Sequence, residues 1–257
     1  MKLLFLGAGS AFTVGSNNFH SNMLLINDEQ KKLLIDCGSD ARHALHEAGL
    51  SHRDIQDIYI SHLHADHVGG LEWMGFATKF DPQCSKPHIY ISHNLVHPLW
   101  NTVLAGGLRS IQSTETDIST FFDMRAVDEG GIFIWEQTLF QLIQTIHTYS
   151  GFNIQPSYGL MFTSPTQMKV LITSDTQFGV HYAMGFYDNA DLIFHDCETS
   201  PHKSGVHSHY TQLKTLPASI KKKIWLYHYN PGELPDAQKD GFHGFVRKGQ
   251  IFDLSNS

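Results

Sequence analysis

Between residues 61 and 67 the chain reads Ser-His-Leu-His-Ala-Asp-His, which puts four metal-competent side chains within six residues. Neutral imidazole and carboxylate are the donors zinc takes when a site must stay open for catalysis. The segment follows Asp57 to Ser61, which reads as a short apolar strand. At a strand end His62 and His64 point to the same side, because side chains alternate along a strand. The chain then turns at Ala65, so that Asp66 and His67 face a second cation, and Gly69-Gly70 permit a tight entry into the next helix. The bland alternative is a surface histidine cluster without metal. So dense a pattern directly after an apolar strand argues against it.

The elements that must position these groups are legible in outline. Lys2 to Leu6, Asn22 to Ile26 and Lys32 to Asp36 read as strands, with a Gly-rich loop over Gly7 to Ser21. Ser39 to Ala48 reads as a helix with Gly49 just past its end. Further strands are expected at His88 to Ser92, Gly131 to Ile134, Gln141 to Thr145, Tyr158 to Thr163, Val170 to Thr173, Asp191 to His195 and Ile224 to Tyr227. Helices are expected around Gly69 to Phe80, His93 to Ala105 and Tyr210 to Leu216. Strands dominate the first half, and strand and helix alternate in the rest. That order suits an α/β fold of two sheets packed face to face with helices outside. With no internal repeat, low-complexity tract or Pro/Ser-rich linker, we read residues 1–257 as a single domain.

Composition removes several classes of function. Hydrophobic residues make up 41% and charged residues 17%, as in a soluble globular chain. No stretch approaches the roughly 20 apolar residues a membrane helix needs. The opening Met1 to Gly7 is too short an apolar run for a signal peptide and reads as a buried first strand. Three cysteines at scattered positions (Cys37, Cys84, Cys197) do not make a disulfide framework, so a reducing, cytoplasmic setting is expected. A formal charge of −7 argues against a long polyanion as partner, since counterion release supplies most of that affinity. The one basic run, Lys221-Lys222-Lys223, reads as a solvated face before a strand. No Gly-x-Ser-x-Gly elbow or phosphate-cradling P-loop competes with the metal reading.

The His-x-His-x-Asp-His pattern resembles the signature of the metallo-β-lactamase superfamily, an αββα four-layer sandwich. His147 after an apolar strand, Asp175 in Ile172-Thr173-Ser174-Asp175 and His228 after Ile224 to Tyr227 resemble that superfamily's later motifs, in order. The resemblance runs from about Lys2 to Asn230. It implies two Zn²⁺ ions, with Mn²⁺ a possible substitute. One would be held by His62, His64, His147 and Asp175, the other by Asp66, His67, His228 and Asp175. Asp66 counts among the catalytic groups as well as the ligands. Such a pair activates water and clamps the oxygens of a phosphoryl group.

Two segments narrow the chemistry. His195-Asp196-Cys197-Glu198-Thr199 resembles the His-Glu-Ala-Thr motif of tRNase Z and its phosphodiesterase relatives, and His207-Ser208-His209 resembles their His-Ser-Thr motif. By that resemblance His207 is the general acid oriented by Asp196, with His209 as the other candidate for the acid and Glu198 for the orienting role. Only 28 positions separate His147 from Asp175, which leaves no room for the basic, Gly-rich arm with which long-arm tRNase Z enzymes grip tRNA. The opening Leu6-Gly7-Ala8-Gly9-Ser10-Ala11-Phe12, the Asn18 to Asn22 stretch and the segment from His195 to Thr199 are similar to the anti-Pycsar cyclic-nucleotide phosphodiesterases of phages and bacteria. That resemblance implies hydrolysis of cyclic mononucleotides such as cCMP and cUMP, evasion of a cyclic-nucleotide defence, and a homodimer. Phe12, Phe19, Trp73 and Tyr149 are the candidates for stacking on the base. The rival enzyme is a tRNA 3′-processing endoribonuclease. The rival outside enzymology is a zinc-containing protein that sequesters a nucleotide uncut.

Overall fold

Short runs of branched and aromatic residues, broken by Gly, Asp and Asn, favour strands over helices through most of the chain. The computed structural model describes residues 1–128 and 130–255. Its strands are β1 (Lys2–Phe5), β2 (Met23–Ile26), β3 (Lys32–Ile35), β4 (Asp57–Ile60), β5 (His88–Ser92), β6 (Asp123–Val127) and β7 (Ile132–Trp135). They continue with β8 (Thr138–Ser150), β9 (Asn153–Thr163), β10 (Lys169–Ile172), β11 (Leu192–Asp196), β12 (Ile224–Tyr227), β13 (Gly244–Phe245) and β14 (Ile251–Asp253). These form two seven-stranded sheets, ordered β14-β1-β2-β3-β4-β5-β6 and β13-β12-β11-β10-β9-β8-β7.

Alternation along the second sheet divides its side chains between two cores. Phe140, Leu142, Leu160, Phe162, Val170, Ile172, Phe194 and Tyr227 join the core shared with the first sheet. Their neighbours Ile143, Met161, Leu171, Ile193 and Leu226 face the other way and pack with Leu213, Leu216 and Ile220 from the outer helical segments. A strand buried on both faces in this way must be apolar at successive positions, as these are. Aromatic rings tie the sheets together: Phe5 lies 5.2 Å from Phe194 and 5.7 Å from Tyr227. The buried Tyr59 hydroxyl donates to the Tyr158 carbonyl at 2.8 Å, so this crossing polar group is satisfied.

Strands β3, β4, β5 and β6 run parallel in the first sheet, as do β10, β11, β12 and β13 in the second. Asp36, the His62–His67 segment, Asp175, Asp196 and His228 all fall at or just past the carboxyl ends of these parallel strands, where open α/β sheets gather their ligands.

Several elements differ from expectation. The helix expected over His93 to Ala105 is interrupted: it runs from His93 to Pro98, widens into a π-type turn over Leu99–Leu104, and resumes over Ala105–Leu108. Pro98 has no N–H to give to the ladder, which loosens the turn around it. The strand expected to end at Thr145 continues to Ser150 and forms a long hairpin with β9. The edge strand β6, the helices Val180–Asn189 and Ala218–Lys221, and the short β13 and β14 were not anticipated. β6 buries only Val127 fully, and β13 and β14 span two and three residues, so none carries the periodic apolar signal on which such a reading depends.

Phe140 is fully buried between the sheets, its ring 5.0 Å from both Phe133 and Phe162. Phe140→Ala is expected to lower the unfolding free energy by about 3–5 kcal/mol. Denaturant unfolding measures this, and a loss below about 1 kcal/mol would contradict the inter-sheet core described.

Candidate metal centre

The site is built from strand ends that kink. Asp36, Ser174 and His228 have positive φ values of 64°, 53° and 62°, in the left-handed region that non-glycine residues enter only under constraint. Each kink falls just past its strand, and it is Asp36, His228 and, after Ser174, Asp175 that reach the site. His147 is turned by another device: the pairing of β8 with β9 shifts register between Ile146 and Thr148. A bulge of this kind re-aims one side chain without ending the strand. His62 and His64 lie in the loop just past β4, and His64 caps a one-turn helix, Ala65–Val68, that carries Asp66 and His67. Gly38 is required beside that turn, because a Cβ there would stand 2.0 Å from the Asp66 carbonyl oxygen.

Seven side chains meet in two groups that share Asp175: His62, His64, His147 and Asp175, and Asp66, His67, His228 and Asp175. In the first, His64 Nδ1 lies 3.1 Å from Nε2 of both His62 and His147. Asp175 Oδ2 is 3.6 Å from the same two nitrogens. In the second, Asp66 Oδ2 is 3.2 Å from Nε2 of both His67 and His228. Asp175 Oδ2 is 3.4 Å and 3.5 Å from those nitrogens. Four donors held tetrahedrally at about 2.0–2.2 Å from a cation lie about 3.3–3.6 Å apart, so both groups have the dimensions of a zinc site. His67 Nε2 and Asp175 Oδ1 are buried without a hydrogen-bond partner, which is costly unless something else occupies them. The donors are all imidazole or carboxylate, the set that suits zinc or manganese. The residues fit a pair of divalent cations.

Surrounding groups select which ring nitrogen is free. Asp36 accepts the Ser61 N–H and hydroxyl at 2.8 and 2.7 Å, and the His67 Nδ1–H at 2.7 Å, leaving His67 Nε2 as the donor to a cation. His147 gives its Nδ1–H to the Val206 carbonyl at 2.7 Å, leaving Nε2 likewise. Burial pushes His62 well below the ordinary imidazole range and lowers His64 and His147, so these rings stand neutral, as ligation requires. Burial also pushes on His67 and His228, but the carboxylates outweigh it. Asp66 and Asp175 lead in raising His67, and Asp175 leads in holding His228 up at about 10. Burial opposes ionisation of Asp66 and Asp175 themselves, yet the facing imidazoles keep both below the usual carboxylate range. Four imidazoles around one carboxylate oxygen thus make a charge arrangement that cations can replace.

Beside the second group, Asp196 Oδ2 receives the His207 Nδ1–H at 2.9 Å and the Thr176 N–H at 2.9 Å. Its Oδ1 lies 3.3 Å from His228 Nδ1. The His207 ring sits 4.8 Å from both the His147 and His228 rings and keeps 19% of its side chain exposed. Burial depresses His207, and Asp196 more than offsets this, raising it above its ordinary value. His209 is not brought to this cluster. It caps the helix Tyr210–Leu213, with Nδ1 at Thr211 and Nε2 3.0 Å from the Ser200 carbonyl. Glu198 is turned away too: it accepts the Ser204 N–H at 2.9 Å and the Ser200 hydroxyl at 3.0 Å, bracing the loop that delivers His207.

Asp36 and Glu198 are the residues whose bracing parts sequence reasoning missed. An aspartate ending a strand looks like any turn residue; its one signal was the Asp36-Cys37-Gly38 run directly after apolar β3. Of the stacking candidates, Phe12 is 76% and Tyr149 53% exposed, Phe19 is buried under Lys248, and Trp73 packs edge-on to His52. Within the basic run Lys222 is exposed, while Lys223 Nζ donates to the carbonyls of Tyr187, Asp188 and Ala190 at the end of the helix Val180–Asn189.

Two facing sheets with helices outside, and a His/Asp centre at the ends of their parallel strands, define the metallo-β-lactamase fold. The metallo-β-lactamase fold protein YhfI from Bacillus subtilis superposes with a TM-score of 0.73 over 98% of this chain and 99% of that one, at 17% identity. The chain belongs to the family described as Anti-Pycsar protein Apyc1, whose model matches residues 1–252. The Anti-Pycsar protein Apyc1 of Paenibacillus harenae is 35% identical over 253 residues, 96% of each chain. That of Bacillus phage vB_BveM-Goe7 is 33% identical, covering 97% of this chain and 96% of its own.

Asp36 touches no proposed cation directly. Asp36→Asn is therefore expected to weaken zinc affinity about 10–100-fold while the protein stays folded. Competition with a chromophoric chelator measures this, and unchanged affinity would contradict the bracing role.

Proposed function

We propose that this chain is a metal-dependent phosphodiesterase that opens 3′,5′-cyclic nucleoside monophosphates, cCMP and cUMP among them, to nucleoside monophosphates. In a bacterial or phage-infected cytoplasm it would thereby silence a cyclic-nucleotide (Pycsar) antiphage signal. The observation that carries this reading is the His207–Asp196 pair beside two ligand groups sharing one carboxylate, in a chain of the Apyc1 family. Its span is read as one domain, a reading supported by a core that includes both Met1 and Leu254.

On this reading His62, His64, His147 and Asp175 hold one cation and Asp66, His67, His228 and Asp175 the other, with zinc the assigned metal. Bound there, the pair supplies Lewis acidity, activating water near neutral pH and clamping the oxygens of a phosphoryl group. The chain's own side chains do the rest. A departing sugar alkoxide is a poor leaving group and needs a proton. His207 gives it from Nε2, because its Nδ1–H is committed to Asp196. Asp196, fixed by the Thr176 N–H, positions that ring and carries the compensating charge. His64 is exposed, so the first group is open on the side a phosphodiester would approach. Phe12 and Tyr149 stand exposed to stack on a base. The hairpin tip, with Tyr149, Phe152 and Ile154 exposed and no Lys or Arg from 148 to 155, is an apolar feature that suits a homodimer better than a tRNA-gripping arm.

Purified protein is expected to convert cyclic mononucleotides to monophosphates, to lose that activity with chelator, and to leave precursor tRNA intact. Turnover of tRNA alone, or tight nucleotide binding without turnover, would overturn the proposal. His64→Ala is expected to lose both metal and activity. His207→Ala should keep its metal content and slow hydrolysis about 10²–10⁴-fold, and a variant of normal rate would remove His207 from the acid role.

A further inference from the structure

Away from the centre, His52, Asp81 and Cys84 bring one ligand atom each to within 4.8 Å of one another. His52 opens a single 3-10 turn, His52–Asp54, before β4, and Asp81 and Cys84 follow the helix Leu71–Lys79. His52 Nε2 is hydrogen-bonded to Asp81 Oδ2 at 3.0 Å, so the imidazole and the carboxylate already face each other. A tight turn holds Asp81 and Cys84 together: the Cys84 N–H donates to the Asp81 carbonyl at 3.0 Å, and the Gln83 N–H donates to Asp81 Oδ1 at 3.0 Å. The chemistry is that of a soft site, since imidazole, carboxylate and thiol together favour zinc over magnesium or calcium.

We propose that His52, Asp81 and Cys84 form a third metal site, taking a thiophilic divalent cation and clasping the turn before β4 to the loop after the helix Leu71–Lys79. Binding displaces the thiol proton to solvent, and the thiolate and Asp81 carboxylate then balance the cation's two charges. Arg53, whose Nε lies 2.6 Å from Asp81 Oδ2, is 56% exposed and competes for that oxygen at a cost typical of a surface ion pair. A fourth position is left for water. His52 and Asp81 line an open groove of about 870 Å³ with Trp73 and Phe76, which gives the ion its way in. This site is independent of the dinuclear centre, whose ligand groups contain no cysteine among the described residues.

That difference makes the proposal testable without any activity assay. Metal-free protein titrated with Co²⁺ is expected to develop a near-ultraviolet sulfur-to-cobalt charge-transfer band. Cys37 and Cys197 are buried outside every ligand group, so the band reports Cys84. Cys84→Ser should abolish it, lower the bound cobalt by one equivalent and preserve the visible bands of the histidine and aspartate sites. His52→Ala should weaken the band's saturation. Absence of the band in the unaltered protein at saturating cobalt, or its survival in Cys84→Ser, would overturn the proposal.

Discussion

The structure depends on what is done with one buried carboxylate. Asp175 Oδ2 lies 3.4–3.6 Å from imidazole nitrogens of four histidines that come from three separate parts of the chain. A charge in that position is tolerated only when paired and held by further polar groups. Everything around it serves that requirement. Parallel strands end together there, left-handed kinks fall just past them, and a bulge in β8 turns His147 inward. The hydrophobic sandwich supplies the rigidity, since packed sheets hold strand ends in place better than loops do.

Around the shared carboxylate lies a set of residues whose contribution is orientation. Asp36 fixes the tautomer of His67, the Val206 carbonyl that of His147, and Asp196 reaches both His207 and His228. Asp196 therefore couples the proposed proton donor to a proposed ligand through a single carboxyl group. The same loop that carries Val206 carries His207, and Glu198 braces it, so the first ligand group and the proposed acid share a support. On the proposed reading, changes in this outer set are expected to alter metal affinity or proton transfer rather than the fold.

How much of this was legible in the sequence depended on how local each signal is. His62 to His67 announce themselves by density, and Asp175 and His228 each follow an apolar strand, where resemblance to the metallo-β-lactamase motif series, taken in order, collects them. The two-sheet class followed from the same strand count. Geometry was not legible where a residue's partner is distant in sequence. Nothing near Asp36 reveals that it will face His67, and nothing near His209 reveals that its ring will cap a helix and contact Ser200. The continuation of β8 through His147 was missed because a bulge leaves no compositional mark. The lysine run is surface only in part: Lys222 is exposed, whereas Lys223 closes a helix end.

Asp175 belongs to both ligand groups, so on the proposed reading it would help to hold both cations. Anomalous diffraction from zinc-loaded crystals tests this most directly. Two zinc peaks are expected, about 3.5–4 Å apart, with Asp175 between them, His62, His64 and His147 around one, and Asp66, His67 and His228 around the other. A single peak, or two peaks that do not share Asp175, would contradict the account.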